Sequence, residues 1–220
     1  GTVKDYDLYV ERVGEVIVID HHPPQGGELT KALWYNPATP KYISTCTAQL
    51  AHMFATDLGV CQPYDDFLAL VGMKSDWAIE PATDYAAPFC QALYEQTAGR
   101  FPNLVRKIQS KPTMFEVKQR NHTTLLNQIA EFAFAVSGGG FQYFYNDRVE
   151  ELKNIYQPNV AFQAFLDAGE KNVRLDALVS LEEFLEEFPD SERMKKMWRC
   201  YLEDWELASR MFSTVTPLAR

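Results

Sequence analysis

Two hydrophobic periodicities alternate over the first eighty residues. Residues 15–20 read Glu-Val-Ile-Val-Ile-Asp, and a short unbroken β-branched run of this kind predicts a strand buried on both faces, as in a parallel sheet. A second short strand is predicted over 32–35. Before the first strand, apolar residues recur at helical spacing and a glycine follows them: Tyr6, Tyr9, Val10, Val13 and Gly14. A helix followed by a strand indicates an α/β unit.

The pattern then becomes helical. One helix is predicted from position 44 to a stop at Gly59, and the next begins at Asp65 or Asp66. Strand signals are almost absent further downstream. The predicted fold class is α/β, with a parallel-sheet core over 1–80 and a largely helical region over 81–220 that packs on the core or extends from it. Further helices, each bounded by glycine or proline, are predicted over 88–98, 103–110, 123–136 and 148–156.

The C-terminal part has the clearest helical periodicity. Ser180-Leu181-Glu182-Glu183 has the form of a capping box ahead of a helix. Large apolar residues then recur at steps of three and four: Met194, Met197, Trp198, Tyr201, Leu202, Trp205 and Ala208. A helix with such a stripe more often covers its own domain than docks a partner helix. A protein partner bound through the helical region stays the alternative.

Composition favours a globular, cytoplasmic protein. Hydrophobic residues make up 46% of the 220 positions, enough for a sizeable core. No apolar run approaches the roughly 20 residues that cross a bilayer, so no membrane association is expected. The cysteines form no Cys-x-x-Cys pair, which argues against a zinc knuckle and against a dense disulfide framework. They stand at Cys46, Cys61, Cys90 and Cys200.

The net charge of −9 restricts how a polyanion can bind. The field of the whole molecule repels phosphate backbones, so any attraction must be local. A divalent cation held by carboxylates supplies such local positive charge. The acidic balance is therefore compatible with a phosphate-containing substrate that meets a bound metal.

A metal site is predicted where the first strand ends. Asp20 follows the β-branched run directly, at the edge where open α/β sheets bind ligands, and His21 and His22 come next. Imidazole nitrogens beside carboxylates suit manganese, iron or zinc, whereas oxygen-only cages suit magnesium or calcium. On composition alone, a pair of loop histidines that cap a strand end is an equally good interpretation.

Residues 16–23, Val-Ile-Val-Ile-Asp-His-His-Pro, resemble the signature of the DHH phosphoesterase superfamily, which includes RecJ-type exonucleases. The segments 35–37, 44–48 and 72–76 resemble successive segments of that family in the same order. The resemblance covers roughly the first eighty residues. It implies a partial DHH-type parallel-sheet core.

The same resemblance implies a set of roles. His21 would ligate one of two manganese-like ions, with magnesium as a second option, and Asp76 would be a further metal ligand. Asp20 would orient the histidines and contribute to the metal site, and His22 would face the scissile phosphate. The expected substrate is a nucleotide or single-stranded nucleic acid. The alternatives are a non-catalytic scaffold in a replication or repair assembly, and an inorganic pyrophosphatase.

Two departures from the family pattern bear on the site. Members carry an earlier motif with further aspartates, whereas helix-like residues precede Val16 here, so the chain is interpreted as a piece of a longer protein. The upstream carboxylates Asp5 and Asp7 are better interpreted as N-terminal helix caps than as ligands. Trp77 follows Asp76 where the family usually has a small polar residue.

Other candidate features have simpler interpretations. The glycines of the segment 137–140, Ser-Gly-Gly-Gly, are favoured as a helix stop over a phosphate cradle, and the aromatic residues at 141–145 as core over a base-stacking platform. A basic stretch over 100–120 is as well explained by solvated helix faces as by a nucleic-acid path. His52 is interpreted as a hydrogen-bonded packing residue.

Overall fold

The computed structural model describes residues 6–23, 31–37, 45–109, 122–136, 174–187 and 191–215. The architecture is mixed α/β, with three two-stranded sheets among the described residues. The chain divides into two compact units. The first contains Gly1–Glu80 and Asp84–Thr97, and the second contains Pro81–Thr83 and Ala98–Arg220.

The first unit opens with a helix and a parallel strand pair. Helix α1 spans Tyr6–Val13 and is followed by Gly14, whose φ of 94° is a conformation that glycine adopts without strain. Strand β1 (Ile17–Ile19) then pairs in parallel with β2 (Leu33–Tyr35), with Val18 opposite Trp34. The α/β unit expected from the periodicity is present at these positions.

The prediction that β1 is buried on both faces is wrong. Val18 is buried, but Ile17 and its pairing partner Leu33 are 53% and 69% exposed. Side chains alternate between the two faces of a strand, so only the face that carries Val18 is covered by the described residues. A β-branched run encodes strand propensity, whereas burial depends on what packs against each face.

Two helices follow in the first unit. Helix α2 spans Thr47–Asp57, and Gly59 beyond it has a φ of 70°. Helix α3 spans Pro63–Ser75 and so begins before the predicted start at Asp65 or Asp66. Proline is favoured in the first helical turn because its missing N–H needs no partner there.

The contact between α2 and α3 depends on one glycine. A Cβ added to Gly72 would overlap with the Cβ of Ala48 on α2, so the two helices approach more closely than any larger side chain would allow. Helix α3 also contributes large buried apolar side chains to the core, including Phe67, Leu70 and Met73. Close packing of this kind fixes the position of both ends of α3.

Helix α3 ends in a Schellman motif at a residue other than glycine. The Trp77 N–H donates to the Lys74 carbonyl at 3.1 Å, and the Ala78 N–H donates to the Met73 carbonyl at 2.9 Å. Trp77 has a φ of 58°, and the Lys74 ammonium lies 4.4 Å from the centroid of its ring. Asp76 is the last residue before this turn, so the motif determines where its carboxylate lies.

A buried ion pair follows the turn. Lys74 is fully buried, and its Nζ lies 3.0 Å from Oε2 of Glu80. Glu80 ends β3 (Ile79–Glu80), which pairs antiparallel with β4 (Tyr85–Ala86). Two charges taken out of water are tolerated only when they are paired, so this contact ties the end of α3 to the hairpin. Helix α4 follows over Gln91–Arg100.

The second unit contains strands that the sequence pattern did not predict. Helix α5 spans only Pro102–Val105, and the predicted helix over 103–110 is wrong beyond it, because β5 (Lys107–Gln109) pairs antiparallel with β6 (His122–Thr124). The three residues of β5 are too few for a period-two signal. Their strand conformation depends on a partner that is distant in the sequence.

Packed helices complete the described part of the second unit. Helix α6 (Leu125–Val136) contacts α7 (Leu181–Glu186) and α8 (Ser191–Val215). Ser180 caps α7 as expected, because its hydroxyl accepts from the Glu183 N–H at 3.2 Å. The aromatic core includes Phe132, whose ring meets that of Phe184 edge to face with centroids 6.3 Å apart.

One buried carboxylate of this unit, that of Glu131, is paired through helix α8. The Tyr201 hydroxyl donates to Oε1 of the buried Glu131 at 2.8 Å. Met194, Met197 and Tyr201 of the predicted apolar stripe are buried, and α8 contacts α6 and α7 of the same unit. Among the described residues, no helix combines the length and apolarity that a membrane span requires. The predicted helix over 148–156 lies outside the described residues.

Candidate metal centre

The β1–β2 ladder fixes the backbone that carries the predicted ligands. The Leu33 N–H donates to the Val16 carbonyl at 2.9 Å, and the Asp20 N–H donates to the Tyr35 carbonyl at 3.2 Å, so parallel pairing continues to the first predicted ligand. Beyond it, Nδ2 of Asn36 donates to the His22 carbonyl at 2.8 Å. The loop after β1 is thus held from β2.

One carboxylate oxygen of Asp20 lies within hydrogen-bonding distance of three nitrogen atoms. Its Oδ1 accepts from the backbone N–H of His21 at 2.8 Å and from that of His22 at 3.2 Å, and it lies 2.8 Å from Nδ1 of His22. An ionised carboxylate can only accept, so the proton of the His22 ring lies on Nδ1. Nε2 of a neutral His22 then carries the lone pair.

These hydrogen bonds also set the acidity of Asp20. Partial burial raises its pKa, but the hydrogen bonds from the His22 ring and from the two backbone amides outweigh it and leave the pKa below the ordinary value. Asp20 is therefore a stable anion at neutral pH. It holds the loop and the ring of His22 together.

His21 turns toward α3. Its Nε2 lies 3.0 Å from Oδ2 of Asp76, and the side chains are 15% and 38% exposed. The His21 and His22 rings are 4.1 Å apart between centroids. We call Asp20, His21, His22 and Asp76 the His21 cluster. The ligand atoms of its first three members all lie within 4.8 Å of one another.

Asp76 differs electrostatically from Asp20. Burial raises its pKa, the nearby histidines lower it and the Asp20 carboxylate raises it, with a net rise. A cation bound beside Asp76 would favour its ionised form and so oppose the effect of burial. The two carboxylates of the cluster therefore have pKa values shifted in opposite directions, downward for Asp20 and upward for Asp76.

Buried thiols that the sequence analysis did not connect lie near Asp76. The Cys46 and Cys90 side chains hydrogen-bond to each other, which lowers the pKa of Cys90 and raises that of Cys46. The Asp76 charge raises the pKa of both. The Cys90 thiol also donates to Oε1 of Gln49 at 3.1 Å. Their wide sequence separation gives no signal of this contact.

The structure brings together all four side chains of the predicted site. Three are consecutive in the loop after β1, and Asp76 reaches them from the end of α3. Asp5 and the segment 137–140 lie outside the described residues, and so do the basic residues of 110–121. Nitrogen and carboxylate donors of this kind suit a transition metal ion such as manganese.

Comparisons with protein-family models, with curated proteins and with solved structures find no match for this chain. The relation to the DHH superfamily therefore stays a prediction from the resemblance of residues 16–23 and the later segments.

Proposed function

We propose that the first unit is a partial DHH-type core and that it belongs to a metal-dependent phosphoesterase. The proposed reaction is the hydrolysis of phosphodiester bonds in nucleotides or single-stranded nucleic acid. The observation that carries this proposal is the contact between Nε2 of His21 and Oδ2 of Asp76, two residues far apart in sequence that the resemblance names as ligands.

The donor set fits manganese. His21, Asp76 and Asp20 would hold the ion, because imidazole nitrogen and carboxylate oxygen together are suitable ligands for it and the two carboxylates offset its charge. When bound, such an ion polarises the phosphoryl oxygen and an attacking water. Magnesium, which prefers oxygen alone, is the second option.

The chain's own residues have separable tasks. Asp20 fixes the loop and the orientation of the His22 ring through its three hydrogen bonds. The His22 side chain is 58% exposed, so Nε2 is accessible to a phosphate. Protonated at that nitrogen, His22 would donate a hydrogen bond to a phosphoryl oxygen. Asp76, which lies beside His21, would be a further metal ligand.

The decisive experiment measures manganese-dependent turnover of short oligonucleotides and cyclic dinucleotides by the full chain. We expect His22→Ala to lower kcat/KM by about 100-fold or more, the typical contribution of a positioned acid–base group. His21→Ala should lower kcat/KM as well, because it removes a proposed metal ligand. His122→Ala is the matched control, because His122 is exposed on β6 in the second unit. Absence of turnover, or turnover that survives both substitutions, would defeat the proposal.

A non-catalytic scaffold is the second candidate. Two-ion phosphoesterase centres use two metals about 4 Å apart, and the His21 cluster offers only four ligand side chains among the described residues. A scaffold would show no manganese binding in calorimetry, whereas the enzyme would bind it with an affinity that His21→Ala reduces. Release of orthophosphate from pyrophosphate would identify a pyrophosphatase instead.

We also propose a reducing, cytoplasmic location. Cys46, Cys61, Cys90 and Cys200 are all free thiols, as the low disulfide tendency of the cysteine spacing predicts. Labelling of the cysteines in freshly lysed cells, before and after reduction, tests this. Equal labelling is expected, and a large increase on reduction would contradict it.

A further inference from the structure

A second group of metal-ligand side chains lies in the first unit, away from the strand ends. His52 belongs to α2, Cys61 to the connection after it, and Asp66 to the first turns of α3. Nε2 of His52 lies 2.8 Å from Oδ1 of Asp66 and 3.4 Å from Sγ of Cys61. We call these three residues the Cys61 cluster. Their ligand atoms all lie within 4.8 Å of one another.

The Cys61 cluster is enclosed by the protein. The His52 and Asp66 side chains are 9% and 10% exposed, and Cys61 is partly buried. The Asp66 carboxylate lies against the His52 ring. Buried carboxylates in proteins are paired or coordinate metals, and the ligand types of this cluster allow both.

The geometry does not fit a nucleophilic triad. In a Cys–His–Asp relay, one ring nitrogen faces the thiol and the other faces the carboxylate. Here both neighbours approach the same atom, Nε2 of His52. Three ligand atoms that lie within 4.8 Å of one another are close enough to surround one metal ion.

The distances suit an ion of the size of zinc. Bonds of about 2.3 Å to sulfur and about 2.0–2.2 Å to nitrogen or oxygen, at tetrahedral angles, hold S and N about 3.5 Å apart and N and O about 3.4 Å apart. The observed Cys61–His52 distance of 3.4 Å already agrees. The His52–Asp66 pair, at 2.8 Å, would open by about half an ångström, which small side-chain rotations provide.

We propose that His52, Cys61 and Asp66 bind a zinc-class transition metal ion, with a fourth position open to water or another ligand. A thiolate among the donors selects zinc or cobalt over magnesium and manganese. The Cys61 cluster thus differs in metal preference from the His21 cluster, which has no cysteine. His52 is hydrogen-bonded and mostly buried, as the sequence predicts. In this proposal it is also a metal ligand.

The scaffold around the Cys61 cluster is preorganised. The close approach at Gly72 and Ala48 holds α2 against α3. The backbone N–H of Gln62, next to Cys61, donates to Oδ2 of Asp65 at 2.7 Å, and this fixes the connection at the start of α3. An ion bound here would staple the two helices, and binding to the folded state alone raises stability by mass action.

Cobalt(II) titration of the reduced, chelator-treated full chain tests the proposal. Cobalt bound to a thiolate has an intense near-ultraviolet charge-transfer band, which a site without cysteine lacks. We expect one equivalent of cobalt to produce the band and one equivalent of zinc to remove it. No band, or a band that zinc leaves unchanged, would overturn the proposal.

Variants assign the band to its residues. Cys61→Ser should abolish it and His52→Gln should weaken cobalt binding at least tenfold, whereas Cys200→Ser, the matched thiol control on α8, should leave both unchanged. His21→Ala should also retain the band, which separates this site from the proposed phosphoesterase centre. A band that survives Cys61→Ser would defeat the assignment. His52→Gln and Asp66→Asn provide the same test if Cys61→Ser does not fold, as far-ultraviolet circular dichroism would reveal.

Discussion

The His21 cluster and the Cys61 cluster offer similar donors but are assembled differently. The first joins the loop after β1 to the far end of α3, whereas the second joins consecutive helices around one short connection. The first is partly open to solvent and the second is mostly enclosed. A short connection between consecutive helices is enough to bring the residues of the Cys61 cluster together. The His21 cluster forms only because tertiary packing places the end of α3 beside the loop after β1.

The largest expected effect comes from the buried ion pair beside Asp76. Lys74→Met would leave Glu80 charged and buried, and breaking such a pair costs about 3–5 kcal/mol. Urea denaturation of Lys74→Met and of Lys74→Met/Glu80→Gln measures it. The double variant should be the more stable of the two, because it removes the unpaired charge. Equal stability of both variants would contradict this account.

The helix contact that both clusters share comes second. Gly72→Ala should destabilise the protein by about 1–3 kcal/mol, because the added Cβ overlaps with Ala48 and forces α2 and α3 apart. The control is Gly99→Ala in α4, where an added Cβ meets nothing within 4 Å. The free energy of unfolding of Gly99→Ala should rise by about 0.5–1 kcal/mol. Thermal unfolding of the pair tests this, and equal shifts in one direction would be inconsistent with it.

A smaller effect on stability is expected at Trp77, the residue after Asp76, because its φ is positive. Trp77→Gly should be about 1 kcal/mol more stable than Trp77→Ala, because both lose the ring over Lys74 but only glycine adopts a φ of 58° without strain. The free energies of unfolding of these two variants isolate the backbone contribution. A more stable alanine variant would argue against a left-handed turn at this position.

The smallest expected effect is on the pH dependence of stability in the metal-free protein, to which Asp20 and Asp76 contribute with opposite signs. The lowered pKa of Asp20 contributes stability at neutral pH that is lost as the pH falls through that pKa. The raised pKa of Asp76 has the opposite sign, because the folded state holds the proton more tightly and loses stability as the pH rises through the folded pKa.

Asp20→Asn and Asp76→Asn variants, unfolded in urea with a chelator from neutral pH to below the ordinary carboxyl pKa of about 3.9, measure this difference. Relative to the unmodified protein, Asp20→Asn should be least stable at neutral pH and should recover in acid. The stability of Asp76→Asn relative to the unmodified protein should be highest at neutral pH. Parallel pH profiles for the two variants would contradict the opposite shifts.

The predictability of each site follows from the spacing of its residues. Asp20, His21 and His22 are adjacent, so a strand signal and a motif were enough to single them out. Asp76 was proposed only through the family resemblance, since nothing in the spacing links it to His21. The Cys61 cluster was missed because residues 52, 61 and 66 form no motif, and their approach depends on the antiparallel arrangement of two helices.

By itself the sequence predicted α1, β1, β2 and α2 of the first unit, where β-branched runs, helical spacing and glycine stops act over a few residues. It did not predict the exact start of α3 or the pair of strands β3 and β4. It also singled out Asp20, His21 and His22 as consecutive candidate ligands at the end of β1. Tertiary structure alone decided the strand at 107–109, the exposure of Ile17 and the contacts of Asp76 and Cys61. The reason is physical: local conformation depends on neighbours along the chain, whereas burial and side-chain convergence depend on which surfaces pack together.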